Sequence, residues 1–188
     1  VPWSDGDGRE SRQGVPSWHR KSEARAVAAE AKRLLEACGD SVSIGIITFY
    51  SAQRDAIFRE LKQFGLVDRD TETGEWLTAD EYRKTNKGEE RFRVGTVDAF
   101  QGKEFDVVFL SMTRSNDLPI TDNRSLRRKF GHLMLENRLC VAMSRQQRLL
   151  IVVGDSGMLR GEVAEQSLAG LVAFRKLCEG RHGCIVSA

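Results

Sequence analysis

The sequence predicts an α/β protein with a mainly parallel sheet and helices on both of its faces. Three observations carry this expectation. Apolar runs at Ile44–Phe49, Val107–Met112 and Leu149–Val153 are nearly continuous rather than alternating, as in strands covered on both sides. Amphipathic helical patterns occur at Ser22–Cys38, Ala52–Phe64 and Ser167–Leu177. Strand and helix signals therefore take turns along the chain, as crossovers between parallel strands require.

Taken in order, Val1–Arg20 mixes Gly, Ser, Asp and Trp without a sustained period and reads as an irregular lead-in. Ser22–Cys38 is a helix on the spacing of Ala24, Val27, Ala28, Ala31, Leu34 and Leu35, with Ser22 as its expected cap. Gly39 suits the left-handed position that ends it. Ile44–Phe49 follows as a strand, then Ala52–Phe64 as a helix with Ile57, Leu61 and Phe64 on one face. Residues 68–90 break the pattern. They hold eight acidic and four basic residues around Glu72-Thr73-Gly74-Glu75, with Trp76 and Leu77 as a local anchor, and read as an inserted hairpin or mobile loop. Strands at Phe92–Val97 and Val107–Met112 bracket the Asp98–Asp106 turn. Residues 114–130 read as a polar, basic loop, Leu133–Ser144 as a helix, Leu149–Val153 as a buried strand and Ser167–Leu177 as the last helix.

Length and composition bound the answer to one soluble-type domain. The 188 residues are 40% apolar and 30% charged, enough for a sizeable core, and the net charge of +2 decides nothing about nucleic acid. No run approaches the ~18 apolar residues of a membrane span, so no membrane partner is expected. Cys38, Cys140, Cys178 and Cys184 show no CxxC pair, and Cys178-x3-His182-x-Cys184 matches no standard zinc spacing. Free thiols, and hence an intracellular protein without a metal centre, are the expectation.

Two familiar patterns fail on inspection. Gly102-Lys103 is no phosphate loop, because Val97 stands at the first glycine position and Glu104 replaces the hydroxyl that would hold magnesium. Asp106 precedes its strand, whereas a magnesium-holding acid follows one. Gly154-Asp155-Ser156-Gly157 resembles a serine-nucleophile sequence, but no histidine is placed for a triad, and capping of the next helical segment by Asp155 or Ser156 is the simpler reading.

A third set matches at several positions at once. Thr96-Val97-Asp98-Ala99-Phe100-Gln101-Gly102-Lys103-Glu104 resembles motif V of superfamily 1 helicases, in the branch containing the nonsense-mediated-decay helicase. Arg138-Leu139-Cys140-Val141-Ala142-Met143-Ser144-Arg145 resembles motif VI of that branch, with Cys140 where asparagine is usual. Gln146 likewise replaces a small residue. Ser43–Gln53 resembles an upstream segment of the same family, with Phe49 in place of proline. The resemblance spans roughly residues 20–160 and implies a RecA-like fold of the P-loop NTPase superfamily, in the form of a second, C-terminal motor domain.

By this resemblance Arg145 is the catalytic arginine finger toward the γ-phosphate, a role suited to a planar, permanently charged guanidinium. Gln101, Gly102, Lys103 and Glu104 would line the nucleotide, Glu104 at its sugar. Thr48, Tyr50, Gln53, Thr96 and Asp98 would face the strand, although Tyr50 could equally be a packing residue. Arg124, Arg127, Arg128, Lys129 and His132 form a basic cluster, with Arg127 and Arg128 the expected phosphate contacts and a solvated basic face the alternative. ATP and Mg2+ would be held mostly by a first RecA-like domain of the same polypeptide. That domain and the Q-Y-R-M-H-type segment are missing here, so a C-terminal piece, inactive alone, is expected. The implied partners are single-stranded DNA or RNA and that first domain. The rivals are a non-enzymatic nucleic-acid-binding module derived from a helicase, and an unrelated α/β regulatory domain.

Overall fold

The computed structural model describes residues 8–186; Val1–Asp7 of the lead-in and Ser187–Ala188 lie outside the described residues. In chain order the elements are α1 (Lys21–Cys38), β1 (Ile44–Thr48), α2 (Ser51–Gln63), the hairpin β2 (Val67–Arg69) and β3 (Trp76–Thr78), β4 (Phe92–Thr96), β5 (Phe105–Ser111), α3 (Asn123–Phe130), α4 (Glu136–Ala142), β6 (Gln146–Val153), α5 (Glu162–Ser167) and α6 (Ala169–Cys178). Four strands form one parallel sheet in the order β4-β1-β5-β6, and the α/β expectation holds.

Strand pleating sorts alternate residues to opposite faces. Ile44, Ile46, Val107 and Phe109 meet Val27, Ala31 and Leu35 of α1 and Ile57 and Leu61 of α2 on one face. Ile47, Val108 and Leu110 meet Leu139 and Ala142 of α4 and Leu171 and Val172 of α6 on the other. Small alanines let α1 lie close, which explains why a helix so rich in them is nonetheless buried along one side.

The connection from β4 to β5 is unusually short. It passes over β1 in the eight residues Val97–Glu104, where parallel neighbours usually need a dozen or more. Two glycines make this possible. A Cβ at Gly45 would sit 2.7 Å from Phe100, and one at Gly95 would sit 2.8 Å from Ala99. The connection can therefore lie flat on the sheet as a 3₁₀ turn, Val97–Phe100, with Phe100 fully buried.

Several expectations are corrected. Ser22 does not cap α1; Arg20 occupies that position, and the Ser22 hydroxyl is buried without a partner. Phe64 is 37% exposed, because α2 ends at Gln63 and the chain turns away. Leu149 is 46% exposed, because β6 is an edge strand. The basic loop contains a helix, α3, started by a reciprocal capping box between Asp122 and Ser125. The helix expected at Leu133–Ser144 is split into a 3₁₀ turn and α4, whereas the last helix expected at Ser167–Leu177 is found as α6, preceded by the short α5 that the sequence did not suggest. Residues 68–90 take the hairpin form of the two offered: Trp76 stacks on Phe58 of α2 with ring centroids 5.3 Å apart, and Tyr82 is buried. Asp106 lies inside β5 rather than before it. Among the described residues no helix is long and apolar enough to cross a membrane, and no group of three or more His, Cys, Asp or Glu lies together as metal ligands.

Candidate nucleotide and nucleic-acid interface

Because all four strands point the same way, the sheet has two chemically distinct edges. Glu104 and Arg145 immediately precede β5 and β6, so both lie at the N-terminal edge. Thr48, Thr96 and Ser111 end β1, β4 and β5 and define the C-terminal edge, with Thr48 in register with both of the others.

At the N-terminal edge the two motif segments are joined by backbone: Phe105 N–H donates to the Arg145 carbonyl at 3.0 Å. The same two segments meet again, away from this edge, in the ion pair of Arg138 with Asp98, 3.2 Å, between α4 and the crossover turn. Arg145 is half-buried, and its Nε donates to the Val141 carbonyl at 3.1 Å, an acceptor at the C-terminal end of α4 that also takes the Ser144 N–H and hydroxyl. Its Nη2 donates to Ser144 Oγ at 2.9 Å, and no carboxylate lies within ion-pair distance of it among the described residues. Glu104 is exposed and accepts one long bond, 3.4 Å, from Gln147. Gln101, Gly102 and Lys103 are exposed, with Gly102 at φ +70° and Lys103 3.5 Å from Glu90. Beside Glu104 opens a polar cleft of about 360 Å³, walled by Ser43, Lys87, Glu90, Lys103, Asp106 and Arg148. Asp106 accepts from the Ser43 N–H and hydroxyl, both at 2.9 Å, and pairs with Arg148 at 3.0 Å. Partial burial raises its pKa, but the Ser43 hydrogen bonds and the Arg148 charge win, leaving it below the usual carboxylate value.

The C-terminal edge is built differently. Thr48 and Gln53 are completely buried and Tyr50 is 5% exposed, so all three side chains lie beneath the surface that was expected to face a strand. Thr48 Oγ1 lies 3.3 Å from Thr113 Oγ1. Gln53 accepts from Arg20 N–H at 2.7 Å and donates to Ser111 Oγ at 3.0 Å. The Tyr50 ring stacks on His132 at 4.8 Å and its hydroxyl accepts from His132 N–H at 3.0 Å, so it packs. Thr96 is half-buried beside Thr48, and Asp98 is exposed and committed to Arg138. Arg127 and Arg128 project from α3 into solvent with Arg124, and none of the three makes an ion pair among the described residues.

The sequence reading missed the buried polar centre of this edge. Glu23 is 1% exposed; its Oε1 accepts from Ser111 Oγ at 2.5 Å and Thr113 N–H at 2.8 Å, and its Oε2 lies 3.3 Å from Arg20. Burial pushes this carboxyl above the usual range, against the Arg20 charge and both hydrogen bonds. Arg114, 1% exposed, pairs with Glu10 at 3.0 Å, lies 4.6 Å from the Trp18 ring, and donates to the Lys129 and Arg128 carbonyls at the end of α3. The available signal was position: Glu23 stands one turn before Val27 on the apolar face of α1.

The sequence profile of a family described as an AAA domain matches residues 2–157 of this chain, which includes both motif segments and both edges. The chain belongs to this family. Its curated relatives include the Helicase required for RNAi-mediated heterochromatin assembly 1 of Schizosaccharomyces pombe, 29% identical over 80% of the chain. The human RNA helicase Mov10l1 is 31% identical over 81%, and a Regulator of nonsense transcripts 1 homolog of Neurospora crassa is 29% identical over 84%. Together with motifs V and VI, these relatives support the resemblance to the second motor domain of superfamily 1 helicases. The AAA-domain chain spans only 12%, 11% and 12% of the lengths of these three relatives.

Proposed function

We propose that this chain is the second motor domain of an ATP-dependent superfamily 1 helicase acting on single-stranded nucleic acid. The observation that carries the reading is the pairing at the N-terminal edge. An arginine without a carboxylate partner and an exposed glutamate stand on segments joined by the Phe105–Arg145 backbone bond. An unneutralised guanidinium fits an anionic γ-phosphate, and an exposed carboxylate fits a sugar diol. In this reading a first RecA-like domain of the same polypeptide holds magnesium and most of the triphosphate. ATP supplies the phosphoryl group; Arg145 stabilises the charge that develops as it leaves, while the Val141 carbonyl and Ser144 hydroxyl hold the guanidinium in place. Glu104 orients the sugar, with Gln101, Gly102 and Lys103 beside it. The Asp98–Arg138 pair ties the crossover turn to α4, and the bond from the Phe105 N–H to the Arg145 carbonyl ties the arginine segment to the start of β5.

The strand would run past the C-terminal edge, where the exposed cations of α3 and the half-buried Thr96 are available and Thr48, Tyr50 and Gln53 support the surface from below. Contacts to phosphates rather than bases make such binding nearly sequence-neutral. The chain by itself turns over ATP negligibly in this reading.

The test is ATP turnover by the polypeptide carrying both motor domains, with and without single-stranded DNA or RNA, against Arg145→Ala. Strand-stimulated turnover lost in the variant, with strand binding kept, is the expected result. Equal loss of turnover and binding would refute the finger role, and robust turnover by the chain alone would refute its dependence on a first domain. Cys140, exposed at the position where asparagine is usual, favours a second reading as a binding module without activity. An intact parent that binds strands but never hydrolyses ATP would establish it.

A further inference from the structure

Thr113 carries the one positive φ of any non-glycine residue among the described residues, +67°. The Arg114 N–H donates to the Met112 carbonyl at 2.7 Å across it. An i→i+2 bond around a residue of that φ is the rare, strained form of the γ-turn, and a β-branched side chain is the least suited to it. The strain is held from three sides. Glu23 Oε1 takes the Thr113 N–H, Thr48 Oγ1 lies against the Thr113 hydroxyl, and Gln53 and Ser111 close the network around Glu23. Strain so heavily supported points to a direction in which the chain is being aimed.

That direction is toward the basic helix. Directly after the turn, Arg114 and Asn116 reach the carbonyls at the C-terminal end of α3, Asn116 Nδ2 at 3.0 Å from Lys129 O. Ser115 fixes the segment sideways, its N–H on Glu10 at 2.6 Å and its hydroxyl on Asp155 at 2.7 Å. From the other end, Gly131 lies so close to Tyr50 that a Cβ there would be 2.3 Å from the hydroxyl. The position of α3 against the sheet is thus set by the turn and by Tyr50, while its own side chains, Arg124, Arg127 and Arg128, stay free.

We propose that the Glu23-held turn at Thr113 is a positioning device that sets α3 at the place where Arg127 and Arg128 meet strand phosphates. Thr113 and Glu23 are positioning residues in this scheme; neither reaches the strand. The inference rests on the reading of α3 as a strand contact.

The test uses the full polypeptide and two readouts, amide exchange by segment and affinity for a fluorescent single-stranded oligonucleotide across a salt series. Thr113→Gly removes the strain and the hydroxyl contact without cutting the backbone bond to Glu23, so the fold survives. Expected is faster exchange confined to residues 114–116 and 123–130. Strand affinity should fall by about fivefold or more, the lower end of ordinary coupling between sites. Glu23→Gln, which keeps both acceptor bonds but not the charge facing Arg20, should move the same segments in the same sense. Unchanged α3 exchange, or unchanged affinity in Thr113→Gly, overturns the device. The underlying contact is checked separately by the double variant Arg127→Ala/Arg128→Ala, whose salt slope should fall by about 1.4 for two lost single-strand phosphate contacts. A slope and affinity unchanged there would refute the strand role of α3, and the inference with it.

Discussion

The two edges of the sheet carry polar residues of similar kinds and use them in opposite ways. At the N-terminal edge Glu104 and Arg145 are held by few bonds and left open, beside a water-accessible cleft. At the C-terminal edge Thr48, Gln53, Ser111 and Glu23 are buried and bonded to one another. A group meant to meet a ligand must keep its charge or lone pairs uncommitted, whereas a buried polar group without a partner is destabilising, so it is kept only inside a closed network. The two edges therefore separate groups available for chemistry from groups that shape the surface.

Substitutions can break or sharpen this contrast. The largest effect is expected at Arg145, where Arg145→Ala should lower ATP turnover of the two-domain polypeptide by about 10³-fold or more. Its cost in thermal unfolding should stay near ~1 kcal/mol, since it removes two half-exposed hydrogen bonds. A large loss of stability there would erase the distinction between the edges. At the other edge Gly131→Ala should destabilise by about 3 kcal/mol, because its φ is +55° and the new methyl would collide with Tyr50. Calorimetry or chemical denaturation reads this directly.

A matched pair sharpens the comparison further. Gln53→Ala should destabilise by about 2 kcal/mol, leaving Arg20 N–H without its acceptor. Glu104→Gln should stay within about 0.5 kcal/mol of the wild type while raising the nucleotide KM of the parent. Equal stability losses for the two would sink the contrast.

The smallest effect is electrostatic, and its sign differs between the edges. The pKa of Asp106 is lowered, so its contribution to stability is present above the usual carboxylate range and fades as pH falls through its folded value. That of Glu23 is raised, so its contribution is fullest below the usual range and fades as pH rises through its folded value. Asp106→Asn should accordingly flatten the acid limb of a stability–pH profile, and Glu23→Gln the limb above it. Profiles shifted in the same direction would contradict the assigned environments.

Much of the fold was legible because the signals are local. The run at Ile44–Phe49 marks a central strand, and the spacing from Ala24 to Leu35 marks the buried face of α1, whatever else surrounds them. The motif segments were legible as residue types at short spacing. Less visible was α3: four basic residues in a row of polar ones look like a loop, and its helix depends on the Asp122–Ser125 cap and on Arg114 at its other end. Leu149 looked buried because an apolar run does not say whether its strand has one neighbour or two.

By itself, then, the sequence determined the alternation of strands and helices, the buried faces of α1 and of the central strands, and the order of the two motifs. Only the tertiary structure decided that Thr48, Tyr50 and Gln53 are buried while Glu104 is exposed and Arg145 half-buried. It alone revealed the carboxylate of Glu23 and the strained turn at Thr113. The physical reason is distance along the chain. Hydrophobic period is written within a dozen neighbouring residues, but whether a polar group is buried depends on partners such as Glu23 and Thr113, 90 positions apart, that meet only once the sheet has formed.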